Sequence, residues 1–172
     1  YDLSQNLFVG TKNLLVEGPS DLIYLDVISR FLRDKGREAL DESWRILPAG
    51  GSSNVPAFVS LLGRKISVTV LLDSGTEGVG KVEAAIRANK IDSGRVVFVG
   101  SVLEQKHCDI EDLFTPSDYL KLYNGAFGTA HKVADLPKHP DRLVLKIQQL
   151  DGKFDHWRTA EFLLRKPGLL YT

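Results

Sequence analysis

The chain has no methionine and only one cysteine, and the single cysteine excludes a protein stabilised by internal disulfides. Cys108 has no second cysteine to pair with, so an internal disulfide cannot form, and no Cys and His spacing indicates a zinc site. These features favour a reducing, cytoplasmic location. Because position 1 is not methionine, we expect the sequence to be a segment of a longer protein.

Long apolar runs are also missing. No segment reaches the roughly 18 apolar residues that a membrane-spanning helix needs, and the chain does not begin with a basic segment followed by an apolar one. We therefore expect neither a membrane partner nor export. The 172 residues are 43% hydrophobic and 26% charged, which is enough for one globular domain with a buried core.

Net charge is zero, but charge is distributed unevenly along the chain. Residues 121–172 contain 9 Lys and Arg against 5 Asp and Glu, whereas residues 1–120 contain 13 against 17. An acidic body with a basic tail is expected if the body holds metal ions and the tail contacts phosphates. Chance scatter of surface charge is the alternative.

Hydrophobic patterning predicts strands that alternate with helices. Each strand is a short, nearly continuous apolar run, which is typical of a parallel sheet covered on both faces. We predict an α/β fold with about four parallel strands flanked by helices and followed by a helical C-terminal appendage. The predicted units are a linker (1–11), an α/β domain (12–114) and the appendage (115–172). The predicted strands are 13–17, 44–47, 66–73 and 95–99; the predicted helices are 19–35, 52–62, 81–89, 116–123, 140–150 and 155–166, with a loop at 124–139.

Acidic residues follow the predicted carboxyl ends of three strands. Glu17 and Asp21 follow the first strand, Asp73 follows the third, and Asp109 and Glu111 come after the fourth. Ligands of open parallel sheets bind at this edge, and carboxylates gathered there resist joint ionisation unless a cation neutralises them. Oxygen ligands without Cys or His favour Mg²⁺ or Mn²⁺. Five carboxylates are more protein ligands than one hard cation usually takes, so we predict two ions. Two ions suit a displacement reaction at phosphorus. Each acid alone could instead be a helix cap or a surface group.

A second candidate feature is the pair Gly50 and Gly51, which follows the second strand. Its backbone N–H groups could bind a phosphate at a helix N-terminus, or the pair could be an ordinary turn. The sequence lacks a P-loop and a Gly-x-Gly-x-x-Gly motif, so neither ATP binding by a P-loop nor NAD binding is supported. Ser52 and Ser53 have no neighbouring base in sequence, which argues against a serine nucleophile.

These motifs together resemble a known family. Glu17-Gly18-x-x-Asp21, Gly50-Gly51 and Asp73 with Gly78 resemble the Toprim domain of topoisomerases, bacterial primases and certain nucleases. More narrowly, the segments VEGPSD (16–21), LPAGG (47–51), DIEDLF (109–114) and FDHWRTAEFLL (154–164) resemble the overcoming-lysogenisation-defect (OLD) nucleases. The resemblance covers roughly residues 13–114 and the tail segment. It implies a Toprim, Rossmann-like fold and a metal-dependent DNA endonuclease.

The resemblance also implies roles and partners. Glu17, Asp21 and Asp73 resemble ligands of one metal ion, and Asp109 and Glu111 resemble ligands of a second. Glu17 and Asp73 would take part in catalysis, with either His156 or Lys153 as the cation near the scissile phosphate. DNA would be the substrate, an ATPase domain of the same polypeptide would precede this chain, and a second copy of the chain is a further candidate partner.

One position departs from the family pattern. The Toprim motif is Asp-x-Asp-x-x-Gly, and here Gly75 stands in place of the second Asp. One alternative to a nuclease is therefore a non-catalytic module that only docks DNA or a partner. A second alternative, independent of Gly75, is a primase-like nucleotidyl transferase that uses the same metals. In the nuclease interpretation, basic residues of the tail would contact the DNA backbone, although each of them could instead belong to a solvated helix face. The candidates are Lys138, Arg142, Lys146, Arg158 and Arg165.

Overall fold

A four-stranded parallel sheet forms the centre of the computed structural model, which describes residues 12–62, 67–75, 79–88 and 92–171. The order across the sheet is β2-β1-β3-β4. The predicted linker 1–11 lies outside the described residues. The strands are β1 (Lys12–Val16), β2 (Trp44–Pro48), β3 (Val68–Leu72) and β4 (Val96–Phe98).

Helices cover both faces of this sheet, so the predicted α/β class with about four parallel strands is confirmed. The helices are α1 (Pro19–Asp34), α2 (Val55–Leu62), α3 (Val79–Arg87), α4 (Val99–Leu103), α5 (Pro116–Phe127), α6 (Leu143–Asp151) and α7 (His156–Arg165).

The direction in which successive strands are added to the sheet reverses at β1. The chain leaves β1 for β2 on one side and then crosses to β3 on the other side. Open parallel sheets bind ligands at such a point, because the loops after the two strands diverge and leave a crevice between them. Glu17 follows β1 and Asp73 follows β3, so both predicted acids stand at this crevice.

Two hydrophobic clusters pack on opposite faces of the sheet. Val68, Val70 and Leu72 of β3 point into one of them, together with residues of α2 and α3. Leu71, the residue between two of these, packs on the other cluster. That second cluster joins α1 to α5, α6 and α7, so the helical appendage shares its core with the first helix of the α/β part.

Several predicted boundaries were wrong, among them the start of the helix predicted from residue 140, which begins at Leu143. Val99 begins α4 and does not end a strand, and α5 continues to Phe127 where a loop was expected from residue 124. Gly125 within α5 does not end the helix, because the Phe162 ring packs where a side chain at this position would lie. Ser52 and Ser53 form a short 3-10 turn before α2, and neither side chain caps it.

The start of α5 follows its prediction. Thr115 is the N-cap, and its hydroxyl accepts a hydrogen bond from the Asp118 N–H at 3.2 Å, with Pro116 in the first turn. Within the described residues, every helix is too short or too polar to span a bilayer.

Candidate functional site

An open cleft of about 430 Å³ lies at the carboxyl edge of the sheet. It brings together the five predicted acids, the two glycines after β2 and His156. Lys153, the other candidate cation, is exposed and does not line the cleft. The lining residues are Glu17, Gly18, Pro19, Ser20, Asp21, Gly50, Gly51, Asp73, Asp109, Glu111 and His156.

Backbone hydrogen bonds connect the acids of different strands. The Asp73 N–H donates to Glu17 Oε1 at 2.9 Å, and the Ile110 N–H donates to Asp73 Oδ1 at 2.9 Å. Directly after Asp73, Ser74 pairs with Cys108 through hydrogen bonds of 2.8 and 3.1 Å between backbone N–H and carbonyl groups. Segments after β1, β3 and β4 are thereby held together at the crevice.

Asp21 lies in the first turn of α1, as predicted. Its Oδ2 accepts a hydrogen bond from the Gly18 N–H at 2.9 Å, which closes the turn between β1 and α1. A carboxylate is stabilised at this end of a helix by the helix dipole. The predicted helix-cap role and the predicted position in the cleft therefore both apply to Asp21.

Three carboxyl groups in the cleft hold their protons more tightly than usual. Burial raises the pKa of Glu17 above its ordinary 4.5, despite hydrogen bonds from Asp73 and Ser52. Burial, followed by repulsion from Glu111 and Glu17, raises the pKa of Asp21 to about 6. Burial and the charges of Glu17 and Asp109 raise the pKa of Asp73 to about 9. Full ionisation of this cleft therefore requires an added positive charge.

Glu111 and His156 form an ion pair at the wall of the cleft. The Glu111 side chain is 4% exposed, and its Oε1 lies 3.2 Å from His156 Nδ1. This hydrogen bond is the main cause that raises the pKa of His156 above its ordinary 6.5. The His156 side chain is 40% exposed, so the imidazole is anchored on Glu111 and also reaches solvent.

Packing fixes the first turn of α7, and with it His156. The imidazole stacks on Phe154 with ring centroids 4.9 Å apart. The hydroxyl of Thr159 donates to the His156 carbonyl at 2.7 Å and lies 2.7 Å from the Tyr24 hydroxyl and 3.3 Å from the Tyr119 hydroxyl. Because Tyr24 belongs to α1 and Tyr119 to α5, His156 is positioned by three helices.

Asp109 lines the cleft but is fully engaged by an arginine. Arg142 donates from Nε to Asp109 Oδ2 at 2.9 Å and from its terminal nitrogen to Oδ1. The Asp109 side chain is 5% exposed. Arg142, a predicted DNA contact, forms a two-point ion pair with a predicted metal ligand, and its contact with DNA stays a prediction.

Of the two roles predicted for the glycine pair, phosphate binding or an ordinary turn, the turn is favoured by the contacts of Gly51. Its N–H donates to the Glu17 carbonyl at 2.7 Å, so this group connects the loops after β1 and β2 and is not available to a phosphate. Both Gly50 and Gly51 have positive φ angles, 75° and 116°, which explains why glycines stand here. Their observed role is to shape the turn that lines the cleft.

Gly75 has a packing reason to be glycine. A Cβ at this position would lie 1.9 Å from Nδ1 of His107, and the φ angle is +71°. The imidazole of His107 therefore fills the space that the second Asp of the family motif would need. An aspartate could not be restored here without moving His107.

The other basic residues of the tail have mixed surroundings. Arg158 lies over the Phe127 ring at 4.3 Å and donates to the Ala126 carbonyl, and Arg165 pairs with Glu161 at 2.7 Å. Lys138 is exposed and Lys146 partly exposed. Contact with a DNA backbone stays a prediction for these residues.

The donor set of the cleft suits a hard divalent cation. Carboxylate oxygens line one cleft and come from Glu17, Asp21, Asp73 and Glu111. A bound cation would reduce the repulsion between these carboxylates, which is one cause of the raised pKa of Asp73. Among the described residues, however, no three His, Cys, Asp or Glu side chains are drawn together into a ready-made metal site. Binding would therefore require side-chain rotation within the cleft.

Comparison with protein-family models, curated proteins and solved structures finds no match.

Sequence reasoning missed one important residue and one important contact. Asp112 accepts from the Asp109 N–H at 2.8 Å and from the Leu143 N–H at 2.7 Å, so it ties the acidic loop to α6. The Asp-x-x-Asp spacing of 109 and 112, typical of a capping box, was an available signal for it. The pairing of Arg142 with Asp109, 33 residues apart, had no local signal.

Proposed function

We propose that the chain is a Toprim-type module that cleaves DNA with a divalent cation, as the resemblance to OLD nucleases implies. The observation that supports this most is that Glu17, Asp73 and Glu111, from three distant segments, line one cleft at the switch point of a parallel sheet. In the same proposal, an ATPase domain of the longer polypeptide controls the module and the protein acts in the cytoplasm.

Glu17, Asp21, Asp73 and Glu111 are the residues that would hold Mg²⁺ or Mn²⁺. When bound, such a cation supplies Lewis-acid activation of water and neutralises charge on the phosphate. Without positive charge, the raised pKa values of Asp21 and Asp73 keep protons in the cleft. Cation binding would therefore release protons, and its affinity should increase with pH.

A phosphodiester is the substrate class that fits this chemistry. An acidic cleft repels a polyanion, so DNA could approach only after the carboxylates are neutralised. The proposed sequence is thus cation first and DNA second. Lys138 and Lys146 on the appendage are proposed phosphate contacts, which would carry no sequence preference.

His156 is the proposed cation near the scissile phosphate, and in this proposal it also donates a proton to the leaving oxygen. Its Nδ1 is held by Glu111, which leaves Nε2 to meet a phosphate oxygen. Because Glu111 raises the pKa of His156, the imidazole stays protonated closer to neutral pH than a free histidine would. Lys153 lies outside the cleft, so between the two candidates for this role we propose His156.

Incubation with supercoiled plasmid tests the proposal. We expect nicked circles with Mg²⁺ or Mn²⁺ and none in EDTA. His156→Ala should lower the nicking rate by about 100-fold or more, the usual size of a general-acid contribution. The rate is measured from the loss of supercoiled DNA on agarose gels.

Gln149→Ala is the control, because Gln149 is an exposed polar residue of α6 that lies away from the cleft, and this variant should nick at the wild-type rate. Absence of cation-dependent nicking would contradict the nuclease proposal. Ribonucleotide incorporation on a single-stranded template would instead favour the nucleotidyl transferase. A loss of nicking in Lys153→Ala but not in His156→Ala would assign the cation role to Lys153.

A further inference from the structure

The ion pair between Arg142 and Asp109 separates Asp109 from the other acids of the cleft. Both carboxylate oxygens of Asp109 accept hydrogen bonds from the guanidinium. Planar two-point pairs of this kind are stronger and more directional than single hydrogen bonds. Glu17, Asp21 and Asp73, by contrast, have no Lys or Arg ion-pair partner in the part of the chain that the structure describes.

The backbone on both sides holds this pair in place. Arg142 is the N-cap residue of α6, and the next residue, Leu143, donates its N–H to Asp112 Oδ1 at 2.7 Å. Asp112 in turn accepts the Asp109 N–H through its other oxygen. Asp112 therefore connects the segment that carries Asp109 to the start of α6, which carries Arg142. This connection keeps the guanidinium and the carboxylate within hydrogen-bond distance.

We propose that Arg142 takes the place of a second metal ion, so that the cleft binds a single divalent cation and Asp109 anchors Arg142. The inference rests on the proposed function, since it concerns the cation of that same site. It replaces the expectation of two ions.

Three physical reasons support a single cation. To coordinate a metal, Asp109 would have to give up a hydrogen bond to a guanidinium that is always charged, or use only the lone pairs that the two-point pair leaves free on its nearly buried carboxylate. An unpaired Arg142 would then face the metal ions and repel them. The positive charge that a second ion would bring to this end of the cleft is already supplied by Arg142.

Arg142 is thus a positioning residue with a defined electrostatic effect. It also lines a neighbouring groove together with Lys106 and His107, so the guanidinium lies between the acidic cleft and that groove. Its N–H groups not used by Asp109 could contact a phosphate oxygen of a strand that leaves the cleft. A lysine at this position would keep the charge but lose the two-point geometry.

Stoichiometry of Mn²⁺ binding tests the inference without any measurement of activity. Titration of the wild-type chain with Mn²⁺ alone, followed by calorimetry and by the free-ion electron paramagnetic resonance signal, should give one bound ion. Asp109→Asn should also bind one ion, because Asp109 is not a ligand in this account, whereas Glu17→Gln should bind Mn²⁺ at least about tenfold more weakly. Arg142→Ala should bind two, because it frees Asp109, and Arg142→Lys should return the value to one.

Each outcome distinguishes the inference from the proposed function. Two ions in the wild type, or one fewer ion in Asp109→Asn than in the wild type, would overturn the inference and leave the nuclease proposal standing. One bound ion without any nicking of DNA would contradict the nuclease proposal alone. No bound Mn²⁺ in the wild type would contradict both. If Arg142→Ala does not fold, the wild-type and Asp109→Asn titrations still decide the question.

Discussion

Asp73→Asn is expected to make the metal-free protein more stable while it abolishes the stabilisation by Mn²⁺. Asp73 is held among other acids, and burial and repulsion raise its pKa from 3.8 to about 9. The unfolded chain ionises this group above about pH 4, whereas the folded chain keeps the proton until about pH 9. Asp73 therefore lowers the free energy of unfolding progressively as pH rises through this window.

Asparagine has no carboxyl proton to lose, so it removes this decrease in the free energy of unfolding, and it keeps the local structure. Its Oδ1 can still accept the hydrogen bond that Asp73 accepts from the Ile110 N–H. In EDTA at pH 8 we expect Asp73→Asn to be more stable than the wild type by about 2 kcal/mol, and the two to converge near pH 4. Urea denaturation at several pH values measures the difference.

Mn²⁺ should reverse the order of the two proteins. A ligand at 100 times its dissociation constant stabilises the folded state by about 2.7 kcal/mol, and only the wild type retains the site. Glu38→Gln, which changes an exposed acid in the same chemical way, should remain within about 0.5 kcal/mol of the wild type in both conditions. Lower stability of Asp73→Asn at pH 8, or an unchanged response to Mn²⁺, would contradict the account in which the carboxylates of the cleft repel one another and bind a cation.

Gly100→Ala is expected to destabilise the protein by about 3 kcal/mol, although alanine is the better helix former. Gly100 is buried in α4, and a Cβ there would lie 2.2 Å from the Gln105 carbonyl oxygen and 2.6 Å from the Ser74 hydroxyl. The Gly100 N–H also donates to that hydroxyl at 2.8 Å. Since the Gln105 oxygen belongs to the backbone, the turn that carries Gln105 must shift, and the Ser74 side chain, whose Cβ would lie 2.9 Å away, must move as well.

The same shift should reach the cleft, because Ser74 follows Asp73 directly and pairs with Cys108, the residue before Asp109. Gly80→Ala is the matched control: Gly80 is helical as well, but nothing lies within 4 Å of its Cβ position. It should stabilise the protein by up to about 1 kcal/mol. Thermal and urea denaturation compare the two variants, and equal effects would show that the close approach at Gly100 is tolerated.

Local patterning was sufficient to predict the sheet and the edge that carries the acids. Runs such as 68–72 are apolar because both faces of the strand are covered, and that pattern requires parallel neighbours with helices on either side. Glu17 and Asp73 were placed at the cleft correctly because the carboxyl ends of parallel strands share one edge. The resemblance to a Toprim domain remains a prediction.

Contacts between distant segments account for what the sequence could not predict. Val99 continues an apolar run and so looks like strand, but the close packing of Gly100 on Ser74 turns the chain into a helix there. Gly51 looked available to a phosphate until its N–H was found on the Glu17 carbonyl. Arg142 looked like a surface cation because the carboxylate that it binds lies 33 residues away.

Crystals soaked with Mn²⁺ test the central claim most directly, because the anomalous signal of manganese marks its position without reference to activity. The account predicts one peak in the cleft, within about 2.0–2.6 Å of carboxylate oxygens from Glu17, Asp73 and Glu111. A soaked crystal whose anomalous map has no peak among these side chains would contradict it.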